Sequence, residues 1–157
     1  MDLIGKTTIH PILFYSGKMM GYLTWIILLL MIFGVDLINR ISFNYNDSVA
    51  FVVLFAGLIF IVFSLINLGS STRLGLPTDE TVFKTNGLYS ISRNPMYVGF
   101  NLLTIASMIY TLHWGVILLG LYSMIIYHLI ILGEERFLMN RFGEEYLIYK
   151  SKIRRYL

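Results

Sequence analysis

From Asn94 to Gly133 the chain runs for 40 residues without an Asp, Glu, Lys or Arg, whereas a single membrane-crossing helix needs only about 20. A run that long has to fold back on itself. The bend is expected at Thr111-Leu112-His113-Trp114-Gly115, where a His, an interface-favouring Trp and a Gly interrupt the aliphatic sequence. A helical hairpin with that bend returns its two ends to one face, and both ends are polar. Gly87-Leu88-Tyr89-Ser90-Ile91-Ser92-Arg93-Asn94-Pro95-Met96-Tyr97-Val98-Gly99 opens the run and Glu134-Glu135 closes it. Arg93 and Glu134 thereby become neighbours at a water boundary.

The rest of the composition agrees. Hydrophobic residues make up 57% of the 157 and charged residues 13%, far from the soluble average of about 25% charged. The expected class is an all-α integral membrane protein with about four transmembrane helices and a carboxyl-terminal cytoplasmic amphipathic helical tail. Residues 1–157 read as a single domain, with two spans in 1–69 and a polar loop, helical hairpin and acidic-aromatic tail in 70–157. The spans are expected near Met19–Val35, Ser48–Leu68, Pro95–Tyr110 and Trp114–Gly133, each bounded by charge or by the bend. The first follows Lys6 and Lys18 but precedes no small-residue cleavage pattern, so it reads as a retained helix. With no cysteine, disulfides, thiolate catalysis and cysteine-based metal sites are excluded, and no metal site is expected.

Lys and Arg set the orientation. Lys6, Lys18, Arg73, Lys84, Arg93, Arg136, Arg141, Lys150, Lys152, Arg154 and Arg155 all fall on one side of this four-span arrangement, and Arg40 alone falls on the other. The positive-inside rule therefore places both termini and the Gly69 to Asn94 loop in the cytoplasm. The net charge of +3 is accounted for by topology and anionic headgroups, and no pattern suggests nucleic acid. The lipid bilayer is the expected partner. Gly57 and Gly69 are not spaced as Gly-x3-Gly, so neither signals helix dimerisation.

Local chemistry points to a site at the polar ends. Asn94-Pro95 suits a helix start, because an Asn side chain accepts from free amides and Pro lacks the N–H that would be unpaired there. That helix amino terminus favours an anionic group ahead of it. Carboxylates at Glu134 and Glu135 sit against anionic headgroups and near a helix carboxyl end, so either the helix continues through Arg136, Phe137 and Leu138 or the pair has partners. Arg93, Arg136 and Arg141 are the protein candidates; ribose hydroxyls or a cationic ligand are the external ones. Phe137, Leu138, Phe142, Tyr146, Tyr149 and Ile153 recur at mostly three- and four-residue spacing, as in an amphipathic helix pair broken at Gly143. Such a tail either lies on the membrane surface or closes over the site.

The order Gly87-x-Tyr89-x3-Arg93-Asn94-Pro95-x-Tyr97-x-Gly99, a charge-free hairpin, then Glu134-Glu135-x2-Leu138-x3-Phe142-Gly143-x2-Tyr146-x2-Tyr149 closely resembles the isoprenylcysteine carboxyl methyltransferase family and its phospholipid methyltransferase relatives. The resemblance covers about the last 70 residues and combines two motifs at the family's spacing. It implies a membrane enzyme that uses S-adenosylmethionine as cofactor. On this likeness Gly87, Tyr89, Arg93, Asn94, Pro95, Tyr97 and Gly99 line the cofactor's methionine or adenine end. Glu134 and Glu135 take its ribose hydroxyls or amino group, and Tyr146 and Tyr149 close the site. No catalytic residue is fixed by the likeness, Arg93 and Glu135 being the best candidates. The family usually carries His between the Arg and the Pro, where this chain has Asn94.

The implied reaction is methyl transfer to a lipophilic or small membrane-partitioning acceptor, a thiol, carboxylate or amine. A sulfonium leaving group needs chiefly alignment and desolvation from the enzyme. His113 falls at the bend and His128 in the fourth span, away from the polar loop. Two other functions fit less well. Sterol-type membrane reductases share an Arg-x-Pro-x-Tyr-x-Gly loop but typically place an acidic residue after the Gly, where this chain has Phe100. A non-catalytic four-span protein that binds a partner through the tail is the other.

Overall fold

The computed structural model describes residues 7–69 and 84–157. They form four helices, α1 (Pro11–Ile32), α2 (Asn46–Leu68), α3 (Pro95–Thr111) and α4 (Trp114–Lys152), with a short 3-10 turn at Gly87–Ser90 ahead of α3. Among the described residues there is no strand, only an isolated bridge between Ser92 and Arg154. Lys6, Arg73 and most of the connection between α2 and α3 lie outside the described residues.

Three helices, α1, α2 and α4, are long and apolar enough to cross a membrane. The helix α3 has 17 residues, fewer than the roughly 20 a full crossing uses. The first helix differs from expectation: it starts at Pro11 and ends at Ile32, where Met19 and Val35 had been expected. Lys18 therefore lies inside α1 and does not bound it. Its ammonium stands 4.1 Å from the centroid of the Phe14 ring, which offers a cation a favourable face. Pro11 serves as the helix start in its place.

Small residues bring the helices together. Gly17 and Gly21, one turn apart on α1, seat α4: a Cβ on Gly21 would stand 2.6 Å from the Ser123 and Tyr127 hydroxyls, and Ser123 donates to the Gly17 carbonyl at 2.9 Å. Gly57 and Gly99 do the same for α2 and α3, since a Cβ on Gly99 would lie 2.8 Å from the Gly57 carbonyl oxygen. Without a solvent-driven hydrophobic effect inside a bilayer, such close backbone approach is a main source of helix association.

The α3–α4 bend falls where the sequence places it. Leu112 ends α3 in the left-handed region (φ 44°), and the His113 ring nitrogen Nδ1 accepts from the Gly115 amide at 3.2 Å to open α4. The α1–α2 connection packs against this bend. Ile41 N–H donates to the Thr111 carbonyl at 3.1 Å, and Arg40 pairs with Asp47 at 2.8 Å and 3.1 Å while covering the Tyr110 ring. At the other end α4 does not stop at Gly133. It continues through Glu134 and Glu135 to Lys152, interrupted only by non-helical geometry at Gly143 (φ 52°, ψ −121°), the position at which the tail was expected to break.

Candidate functional site

The site lies where the start of α3 meets the middle of α4 and the carboxyl-terminal residues. After Lys152 the chain turns extended at Ile153 and runs back along the segment before α3. Arg93 N–H donates to the Arg154 carbonyl at 2.9 Å. The Ser92 hydroxyl and the Asn94 amide both donate to the Arg155 carbonyl, at 3.3 Å and 3.2 Å. The Arg93 guanidinium reaches the Lys150 and Ile153 carbonyls at 3.2 Å and 2.5 Å. We refer to Ile153–Tyr156 as the strap.

Glu135 is the centre of this assembly. It is 4% exposed, and a carboxylate can be so buried only if paired and hydrogen-bonded. Arg93 donates to its Oε1 through Nε at 3.1 Å and Nη2 at 2.9 Å. Arg155 donates through Nε to Oε1 at 3.2 Å and through Nη2 to Oε2 at 3.0 Å. The Asn94 amide adds a third partner at 3.3 Å. Two guanidiniums around one carboxylate leave this clamp with one net positive charge.

Glu134 has different company. Its Oε1 accepts from the Tyr97 hydroxyl at 2.8 Å, and among the described residues no other hydrogen bond to it is seen. Lys18 of α1 lies within electrostatic reach. A carboxylate has room for about four donors, so Glu134 retains acceptor capacity that Glu135 does not.

The remaining expected residues divide by position. Tyr149 donates its hydroxyl to the Tyr89 carbonyl at 2.6 Å and so ties the tail to the loop. Tyr146, 1% exposed, packs beside it with ring centroids 6.1 Å apart and ring planes tilted by 55°. Burial pushes the Tyr89 phenol up, which keeps it a neutral hydroxyl. Pro95 is buried at the first turn of α3. Gly87, at φ 63°, leaves room for the Asn67 side chain of α2, whose Oδ1 accepts from Leu88 N–H at 3.0 Å. Gly99 faces α2 at the seam with Gly57. His128 holds the strap from the other side, its Nδ1 2.7 Å from the Tyr156 hydroxyl.

One expectation is corrected. Asn94 occupies the cap position of α3, but its side chain makes no capping hydrogen bond; its Nδ2 donates instead to Glu135 and to the Arg155 carbonyl, and the bond to the charged acceptor orients the side chain that way. Two participants escaped the sequence reading. Arg155 was seen only as a tail charge, because its contact with Glu135 depends on the chain turning back at Ile153. In the sequence Lys18 reads as a boundary, although its four-residue spacing from Phe14 and Tyr22 puts it on an aromatic helix stripe.

Comparison with protein-family models matches residues 47–145 to the phospholipid methyltransferase family. The match runs from α2 through the loop and α3 into the tail, well over half of the chain, and leaves out α1 and the strap. No curated protein matches the chain.

Proposed function

We infer, from the premise that this chain belongs to the phospholipid methyltransferase family, that it transfers a methyl group from S-adenosylmethionine to a lipophilic or small membrane-partitioning acceptor. Family and apolar helices together make it a membrane methyltransferase. The finer reading rests on one juxtaposition: a carboxyl with spare acceptor capacity, Glu134, directly beside a clamp of net positive charge at the start of α3. Those residues fit a ligand that carries hydroxyls, an ammonium and a carboxylate. Glu134, supported by Tyr97, would take the ribose hydroxyls or the amino group, and the Arg93–Glu135–Arg155 clamp would attract the carboxylate. Tyr89, Asn94, Pro95, Tyr146 and Tyr149 would wall the site, with Gly87 and Gly99 setting how closely α2 approaches it. The Arg93-Asn94-Pro95 loop and the Glu pair support an arrangement like that of isoprenylcysteine carboxyl methyltransferases.

When bound, S-adenosylmethionine supplies a methyl carbon on a sulfonium sulfur that leaves as a neutral thioether. The chain's own residues then have to align and desolvate, effects worth up to roughly 7 to 11 kcal/mol. The clamp is suited to that task because it is rigid, with Arg93 and Glu135 side chains 8% and 6% exposed. We place the site and both termini on the cytoplasmic side of a multi-pass protein, with α3 as a short fourth span, on the strength of the Lys and Arg distribution. Incubating the purified protein with methyl-labelled S-adenosylmethionine and a membrane lipid extract tests this. Label should enter the organic phase with the wild type and fall by at least tenfold with Glu134→Gln; no transfer from any extract would contradict the reading.

A further inference from the structure

The helix α3 ends without help from water. A helix leaves its last carbonyls without partners in its own turns, yet in α3 each of the final four has a protein donor. The Met108 carbonyl receives Leu112 N–H at 2.9 Å and the Thr111 carbonyl receives Ile41 N–H at 3.1 Å. Between them, the Asn46 amide Nδ2 stands 3.3 Å from both the Ile109 and the Tyr110 carbonyl oxygens. Ile41 and Asn46 belong to the α1–α2 connection and the residue that follows it. At 1.5 Å per residue the 17 residues of α3 reach about 25 Å, against a hydrocarbon core about 30 Å thick. A helix that short ends where water is scarce, and there every backbone carbonyl has to be satisfied by protein.

The connection itself, residues 33–45, turns its apolar side outward. Phe33, Val35, Leu37, Ile41, Phe43 and Tyr45 are all exposed, Phe43 at 66% and Tyr45 at 77%. All six are odd-numbered, the period of two that marks an extended, two-sided segment. The even-numbered side meets the bundle: Ile38 packs against the cluster of Leu28, Met31 and Tyr110, and Arg40 leans over the Tyr110 ring, 4.5 Å from its centroid, to pair with Asp47. Rings outward and arginine inward is the reverse of a loop bathed in water. Trp114, 72% exposed at the start of α4, adds an interface-favouring ring at the same end of the bundle. Asp36, Asn39 and Asn44, also exposed, give the segment polar atoms for headgroups and set its depth at their boundary with the acyl chains.

We propose that residues 33–45 are a membrane-embedded cap, lying between acyl chains and headgroups in the leaflet opposite the Glu134–Glu135 site, with the odd-numbered side on lipid. The partner of this surface is the bilayer itself. The cap supplies what the short helix lacks: it donates to the end of α3 in place of water and fills the depth that α3 does not reach, so that no local thinning of the bilayer is needed. The proposal goes beyond the methyltransferase reading and stands whichever reaction the opposite face carries.

Depth-dependent fluorescence quenching tests this without turnover. The full chain carrying Trp25→Phe, Trp114→Phe and Phe43→Trp has a single tryptophan, placed on the outward side of the cap. It is reconstituted in nanodiscs of phosphatidylcholine brominated either just below the headgroup or near the acyl-chain ends, and separately exposed to iodide in the water. Shallow bromines should quench it at least roughly twofold more strongly than deep ones, as suits side chains buried in the interface, and iodide should have little effect. Quenching by iodide with none from either lipid would mean a water-facing loop; protection from all three would mean a protein contact, a second copy of the chain included; stronger quenching by the deep bromines would misplace the cap. Each of these overturns the proposal. Thermal unfolding in nanodiscs, with both native tryptophans kept, gives an independent reading: Phe43→Asp should lower the midpoint and Phe43→Leu should hold it. A midpoint unchanged or raised by Phe43→Asp, the behaviour of a ring exposed to water, would likewise overturn it.

Discussion

Glu134 and Glu135 are consecutive on α4, so their side chains leave the helix in different directions, and the two carboxyls come to separate roles. Glu135 sits between Arg93, Arg155 and Asn94. Neutralising one member of a buried pair leaves the other charge uncompensated, a loss of about 3 to 5 kcal/mol. Glu135→Gln should therefore lower the thermal midpoint in detergent sharply. Glu134→Gln should leave the midpoint near that of the wild type and weaken S-adenosylmethionine binding by about 1.5 to 3 kcal/mol, the value of a hydrogen bond to a charged group. Calorimetry and thermal unfolding on both variants separate the two, and the reverse pattern would exchange their roles. Asn94→Ala should cost about 1 kcal/mol of stability through the lost bonds to Glu135 and the Arg155 carbonyl, with no change in where α3 begins. The importance of the acidic pair was legible in sequence, since carboxylates at that place need partners. Which carboxyl is clamped was not, because Arg155 reaches Glu135 only through the turn at Ile153.

At the scale of elements, the strap and the glycine seams hold the site together. Deleting Arg154–Leu157 removes the Arg155 pairing with Glu135, the Arg154 carbonyl that receives Arg93 N–H, and the Tyr156 contact with His128. The truncated protein should lose both thermal stability and cofactor affinity. Tyr149→Phe, which removes the 2.6 Å bond to the Tyr89 carbonyl and the longer 3.5 Å contact with the Ser92 carbonyl, should cost about 0.5 to 1.5 kcal/mol. Gly99→Ala should destabilise by about 1 to 3 kcal/mol, the usual cost of overpacking, because the new Cβ meets Ile61 and the Gly57 carbonyl; a midpoint unchanged by Gly99→Ala would mean that α2 and α3 separate more easily than the structure implies. The hairpin bend, the start of α3 at Pro95 and the break at Gly143 all followed from local composition, since Pro, Gly and a charge-free run act where they stand. The start of α1 did not. A lysine looks like a helix boundary until the neighbouring ring of Phe14 and the distant Glu134 are known to be its surroundings.

For the whole molecule, the absence of cysteine makes topology directly measurable. A single cysteine replacing Lys150 should react with a membrane-impermeant maleimide from the cytoplasmic side, and one replacing Arg40 only from the opposite side; labelling of both from one side would contradict the arrangement of four crossings. All-helical class and membrane character were readable from hydropathy and charge. The relation of α1 to the rest was not, because contacts such as Ser123 with Gly17 span 106 residues and are invisible to local pattern. The central claim is that the acidic pair and the clamp hold S-adenosylmethionine, and calorimetric titration of the purified protein tests it most directly. The account predicts saturable binding of S-adenosylmethionine or its demethylated product, weakened in Glu134→Gln, and poor binding of NADPH, whose 2'-phosphate the Glu134 carboxyl would repel; preferential binding of NADPH, or no binding of S-adenosylmethionine by folded protein, would contradict it.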